Sequence, residues 1–198
     1  MRQFILRARK GPSSPGFALD NLPGLGHLEI VAHCISNALF YSGHIRPGVV
    51  IHVVLDGPSS PPKTVRFESD RLGSLAGFDE RSICMALDQA LACGRRLATG
   101  EEARAAEGIF VSKLGFEPLV RQQSSAGALY YLRPKGGDIR QVDLALPATF
   151  VFSDHLGMPK KADRYLERLG AIPLSVGPKM LFASQCIVLA HNELDRRE

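Results

Sequence analysis

Three short runs of small and polar residues stand where strand-like patterns end. They are Leu132-Arg133-Pro134 followed by Lys135-Gly136-Gly137, Ser153-Asp154-His155-Leu156-Gly157, and Leu174-Ser175-Val176-Gly177-Pro178-Lys179. α/β sheets hold ligands beyond the carboxyl ends of their parallel strands. Glycine and proline there let main-chain N–H and C=O groups come close enough to read an adenine edge, although such runs are more often no more than turns. Asp154-His155 has the residue types of a proton relay. Neighbours on an extended chain point apart, so direct pairing is not expected, and Asp154 can equally brace its loop. Ser153, Ser175 and Ser184 lack the G-x-S-x-G setting of a hydrolase nucleophile. The cysteines Cys34, Cys84, Cys93 and Cys186 form no C-x-x-C, and the six histidines show no ligand spacing, so neither disulfides nor a metal are expected. Cys186 is expected to pack as an inert thiol. With G-x-G-x-x-G and the P-loop pattern both absent, a nucleotide pocket here would be of another kind.

The elements that must position these bends follow from periodicity. Residues 3–8 form an apolar strand, and 11–26, GPSSPGFALDNLPGLG, a loop that could serve as a lid. Apolar residues at helical spacing predict a helix over 27–41. The nearly continuous aliphatic run 48–56 predicts a central strand, and 63–68 a neighbour to it. A helix is expected over 79–96, then a polar, helix-prone stretch, EEARAAEG. Strands follow at 128–132, 149–152 and 171–174 with helical patterns between them, and a last helix runs over 180–195. Alternation of this kind is an α/β pattern, and 198 residues without repeat or linker suit one domain, 1–198.

At 45% hydrophobic and 22% charged the chain has a globular composition, with no apolar run long enough to span a membrane or to serve as a signal peptide. A cytoplasmic location is expected. Lys plus Arg number 24 against 20 Asp plus Glu, and Arg2, Arg7, Arg9 and Lys10 equal that whole excess of +4. Such a bias suits a polyanion such as RNA, but charge alone does not decide it.

These motifs, in order along nearly the whole chain, resemble the archaeal tRNA pseudouridine-54 N1-methyltransferase family of the SPOUT superfamily. The similar segments are RQFILRA, DNLPGLGHLEIVAHCISNALFYSGHIRPGVVIHVVLDG, FDERSI, GIFVSKLGF, YYLRPKGGDI, FVFSDHLG and LSVGPKMLFASQCI. The resemblance implies a SPOUT-type sheet flanked by helices with a C-terminal deep trefoil knot, an exception to the rule against knots. It implies a homodimer that binds S-adenosylmethionine and methylates N1 of pseudouridine in RNA, tRNA foremost. The cofactor pocket it implies uses Leu132, Ser153, Gly157, Val176, Gly177, Pro178, Lys179, Met180, Leu181 and Cys186; the family usually carries glycine where this chain has Ser153. A sulfonium is an activated methyl donor, so alignment matters more than a metal or a covalent nucleophile. The N1 proton must still leave, and Asp154 is the candidate base. Arg46, in HIRPG, is a candidate substrate contact, and Arg2, Arg7 and Arg9 are candidates for phosphate contacts. The alternative is a catalytically silent knotted protein that binds RNA or a nucleotide, which cofactor binding would begin to separate from the enzyme.

Overall fold

The run Val49–Leu55, VVIHVVL, is β-branched almost throughout and lies in the middle of a sheet, buried on both faces. The computed structural model describes residues 1–73 and 75–197. In chain order the elements are β1 (Arg2–Ala8), α1 (Leu28–Leu39), β2 (Phe40–Tyr41), β3 (His44–Ile45), β4 (Val49–Leu55), β5 (Lys63–Glu68) and α2 (Glu80–Cys93). There follow β6 (Glu102–Ala106), β7 (Ile109–Ser112), α3 (Phe116–Ser124), β8 (Ala128–Asp138), β9 (Ala148–Ser153), α4 (Lys160–Arg168), β10 (Ile172–Ser175) and α5 (Ala183–Asp195).

Eight strands form one sheet in the order β10-β8-β9-β1-β4-β5-β7-β6, while β2 and β3 make a small separate hairpin. From β10 to β4 every pairing is parallel; from β4 to β6 every pairing is antiparallel. The sheet is therefore mixed, and only its parallel half can deliver strand carboxyl ends to a common edge. Side chains on β1 alternate between two cores. Phe4, Leu6 and Ala8 pack with α1, α2 and α5, and Ile5 packs with α3 and α4 on the opposite face. Phe150 of β9 stacks between Phe4 and Tyr130, with ring centroids 5.8 and 5.3 Å away. No helix among the described residues is long and apolar enough to cross a membrane.

Several expectations are corrected. EEARAAEG, read as helix-prone, contributes strand β6, which forms a hairpin with β7, a strand that periodicity did not reveal. Gly108 at φ +69° makes the turn, and pairing to the sheet overrides the helical propensity of Glu and Ala. β8 continues through Pro134 to Asp138 because β10 pairs Leu174 with Gly137 and Ser175 with Asp138 after a register shift. The last helix begins at Ala183, three residues later than expected: Phe182 N–H donates to the Gln185 side chain and accepts Cys186 N–H at its carbonyl, which sets the first turn. The 11–26 loop is no free lid. Ser13 is buried and bonds the Gly57 carbonyl at 2.6 Å, while Asp88 accepts the N–H groups of Gly16 and Phe17.

Two buried histidines bear on stability. Burial, with the charge of Arg66 nearby, lowers the His52 imidazole from 6.5 to about 3; burial, with Arg46 and Arg2 nearby, does the same for His191. Both stay neutral in the fold and protonate near 6.5 once unfolded, so the unfolded chain binds more protons between these values. Their contribution is complete above pH 6.5 and is lost as pH falls toward 3, at about 1.4 kcal/mol per pH unit for each. Urea unfolding from pH 7 to pH 4 should show this slope, and His52→Gln or His191→Gln should each remove about one proton's worth of it.

Candidate functional site

Because β8, β9 and β10 are parallel, the bends after β9 and β10 leave the sheet together and, with Leu132, Arg133 and Pro134 inside β8, surround one open cavity of about 510 Å3. The run 132–137, expected as a turn after a strand, is strand throughout because β10 pairs with it. Its walls come from Leu132 and Arg133 of β8, from residues 153–157 after β9, and from residues 174–177 and 179–183 between β10 and α5. Ile30 of α1 and Phe152 of β9 add apolar surface. The size falls in the range of roughly 300–1,000 Å3 usual for small-molecule pockets.

Each bend has a local reason for its shape. After β9, Asp154 is 6% exposed and commits both carboxylate oxygens to main-chain donors, Oδ2 to Arg9 N–H at 2.7 Å and Oδ1 to Leu156 N–H at 3.0 Å. Its own N–H donates to the Arg7 carbonyl, and its carbonyl accepts Gly157 N–H, where φ of +70° closes the turn. The loop is thus bolted to the end of β1. After β10, Ser175 Oγ donates to the Gly177 carbonyl and accepts the Gly177 N–H, and Gly177 adopts φ +146°, a conformation open to glycine. The run 132–137 stays in β8 and lies against β10 at Gly136, where any Cβ would collide with the Leu174 main chain.

The donor set suits a neutral heterocycle with a flexible tail. Among the described residues, the N–H groups of Lys179, Met180 and Leu181 form no hydrogen bond within the chain, so three main-chain donors stand in the loop that lines the cavity. A Cβ at Gly157 or Gly177 would have no atom within 4 Å, so a ligand can approach both backbones. Cys186 presents a protonated thiol, burial having pushed it up to about 11. An adenosyl group held through main-chain edges and apolar contacts fits these walls; they carry no Gly-rich phosphate loop, and Arg133 and Lys179 add cationic side chains to the lining.

Of the residues expected to hold a cofactor, Leu132, Ser153, Gly157, Val176, Gly177, Lys179, Met180, Leu181 and Cys186 all line the cavity, and Pro178 does not. The expected RNA contacts fare differently. Arg2 is 6% exposed and bonds Asp195 at 2.5 Å and His191 Nδ1 at 3.2 Å, so it cannot present its charge to a phosphate. Arg7 pairs with Asp56 at 2.8 Å and lies over the Phe116 ring. Arg46 is not at the cavity; it grips both oxygens of Asp195 at 2.9 Å and covers Tyr41. Arg9 alone of these four keeps an exposed side chain.

Sequence reading passed over His155 as a partner of anything but Asp154. Its exposed ring lines the cavity and packs edge-on against His27 at 4.3 Å, and His27 Nδ1 lies 2.7 Å from Glu29 Oε1. His27 holds φ +62°, uncommon outside glycine, at the start of α1. Its place in the motif GHLE was visible in the sequence, but the contact between loops was not. Phe182 and Leu156, also missed, are exposed apolar residues at the rim.

A sheet whose parallel strands end in small-residue bends around an apolar cavity with free amide edges defines an α/β nucleoside-binding protein. The chain belongs to the family described as "Putative SAM-dependent RNA methyltransferase", whose model matches residues 1–198. It is 37% identical over 195 residues to a Photobacterium profundum protein named "Putative pseudouridine methyltransferase", covering 98% of both chains. It is 38% identical over 196 residues to a protein of that name from Alcanivorax borkumensis, again with 98% of each covered. Among solved structures, Archaeoglobus fulgidus Nep1 bound to S-adenosylhomocysteine shares the fold with a TM-score of 0.65 at 14% identity, over 98% of this chain and 96% of that one. A ribosomal RNA small subunit methyltransferase E from Neisseria gonorrhoeae, bound to S-adenosylmethionine, shares it at 0.52 and 8% identity, over 100% of this chain and 66% of that one.

The crossing at Gly136 is a direct test of how the cavity is built. Gly136→Ala should cost about 1–3 kcal/mol in urea unfolding, in line with overpacking, because the Leu174 main chain must move. The same shift displaces the 174–177 wall, so affinity for the cavity's ligand should fall along with stability.

Proposed function

We propose that this protein is an S-adenosylmethionine-dependent methyltransferase that methylates N1 of pseudouridine in RNA, with tRNA as the substrate class. The observation that carries the reading is the meeting of the bends after β9 and β10 with the middle of β8 around a cavity with uncommitted main-chain donors. It is supported by membership of an RNA methyltransferase family and by full-length relatives named for pseudouridine methylation. The reading extends to a cytoplasmic homodimer whose C-terminal segment is threaded as a trefoil knot. Met180, Phe182 and Val188, 82%, 64% and 47% exposed at and beyond the start of α5, are the apolar surface a second copy would cover.

In this reading Leu132, Ser153, Gly157, Val176, Gly177, Lys179, Met180, Leu181 and Cys186 hold the cofactor, with Pro178 shaping the bend between them. Bound there, S-adenosylmethionine supplies a methyl group already activated on sulfonium. The remaining work belongs to the chain. Leu156, Met180 and Phe182 at the rim exclude water around the acceptor. Asp154, with both oxygens engaged by backbone donors, acts as a positioning residue. His155, exposed on the wall beside it, takes the proton that N1 releases as the methyl group passes from the sulfonium to N1, a role an imidazole nitrogen can fill.

Calorimetry should give stoichiometric S-adenosylmethionine binding by the wild type and none by Gly177→Trp, whose side chain would fill the approach to the loop. Nucleoside mass spectrometry of total tRNA and rRNA, with and without the protein, should show a methylated pseudouridine that disappears in its absence. Cofactor binding without any such product would favour the silent binding protein instead. In single-turnover assays His155→Ala should slow methyl transfer by about 100-fold or more with cofactor affinity retained, whereas Asp154→Asn should weaken cofactor binding by loosening the loop. If instead Asp154→Asn leaves affinity intact and abolishes transfer, the proton acceptor is Asp154.

A further inference from the structure

The outer surface of α4 is sorted by charge. Its buried residues Ala162, Tyr165 and Leu166 form one face. Lys160, Lys161, Arg164 and Arg168 are all exposed and fall within an arc of roughly 100°, while Asp163 and Glu167 lie together along the edge that flanks Lys160. That acidic edge is already matched: Glu167 pairs with Arg133 at 3.1 Å, and Arg133 also acts on Asp163. The basic arc is not. Lys161 comes within 3.9 Å of Glu117 and Arg168 lies over the Tyr165 ring at 5.6 Å, but Lys160, Arg164 and Arg168 make no ion pair among the described residues. At the border, Arg121 of α3 donates through Nε to the Tyr165 hydroxyl and adds a further exposed guanidinium.

The isolated helix gains from Lys160–Asp163 and Arg164–Glu167, opposite charges three residues apart, but along the basic arc itself the neighbours repel. Lys160 and Arg164, then Arg164 and Arg168, are like charges four residues apart, each pair unfavourable by about 0.2–0.5 kcal/mol. Lys160 and Lys161 in the first turn also oppose the helix dipole. The repulsion along the arc is relieved by a row of anions. The row starts just beyond the 153–157 wall of the cavity, separated from it by Met158 and Pro159.

We propose that the Lys160–Arg164–Arg168 face of α4 is the docking surface for the phosphate backbone of the substrate RNA beside its target nucleotide. The inference rests on the RNA methyltransferase reading above and supplies what that reading lacked, since Arg2, Arg7 and Arg46 spend their charge on Asp195 and Asp56. Successive cations about 6 Å apart along the helix follow a strand of phosphates without reading its sequence, so base identity is left to the cavity.

The test compares two variants of equal charge loss, Arg164→Gln/Arg168→Gln and Arg95→Gln/Arg96→Gln, the latter pair exposed after α2. The probe is fluorescein-labelled unfractionated tRNA, titrated from about 50 to 200 mM salt. The α4 variant should bind the RNA about tenfold more weakly at low salt, with the slope of log K against log salt shallower by roughly 1.4–1.8, two phosphates' worth. Its S-adenosylmethionine affinity and melting temperature should match the wild type, and the Arg95/Arg96 variant should keep the wild-type RNA slope. RNA binding by the wild type with equal slopes for both variants would overturn the docking surface and leave the enzyme reading standing. A wild type that takes up S-adenosylmethionine but binds no RNA would overturn both the docking surface and RNA as substrate.

Discussion

The carboxyl end of β1 is the fixed point to which the pocket is attached. β1 lies between β9 and β4, parallel to both, so its last residues emerge at the edge where the bends gather. Asp154 then joins the 153–157 bend to it through the Arg7 carbonyl and the Arg9 N–H, while its second oxygen closes the bend on Leu156. A buried carboxylate left without these donors would carry a desolvation cost of about 1–3 kcal/mol or more for each bond unmade, which makes the arrangement all-or-none. One wall of the cavity is therefore rigid, whereas the 179–181 segment keeps its amides unpaired for a ligand.

At the other end of β1 a second polar cluster performs a different task. Arg2 and Arg46 both grip Asp195 at the end of α5, and His191, one turn earlier, accepts from Arg2 at Nδ1 and donates through Nε2 to the Ala38 carbonyl at 3.0 Å. The cluster ties α5 to β1, β3 and α1, and so fixes the direction from which α5 and its leading residues approach the cavity. Charges held this way are desolvated and matched, and breaking one partner leaves another buried and unpaired. Arg2 and Arg7 near the N-terminus thus serve the fold, Arg9 and Lys10 stay exposed, and a further row of exposed positive charge lies on α4.

Much of the site was legible because its signals are local. A β-branched run such as VVIHVVL stays a strand in almost any context, and glycine beside serine or proline after such a run marks a bend. Hence residues 63–68 matched β5 at both ends, and nine of ten expected pocket residues line one cavity. The failures are equally physical. Glu-Glu-Ala-Arg-Ala-Ala carries helical propensity, but β7 offers it a ladder of hydrogen bonds that outweighs a few tenths of a kcal/mol per residue. Arg2 and Arg7 looked like surface charge because alternation says which side of a strand a residue takes and not what waits there.

The amino-acid sequence by itself determined the α/β class, the order of most elements and the bends after β9 and β10, and its motifs carried the family resemblance, since each depends on residues close together in the chain. Only the tertiary structure decided that the sheet is half antiparallel, that Asp154 braces and His155 meets His27, and which arginines are consumed by Asp195 and Asp56. Those outcomes turn on partners from about 50 to more than 190 residues away along the chain, and the energy of a charge or a hydrogen bond is set by the partner and the burial that folding supplies.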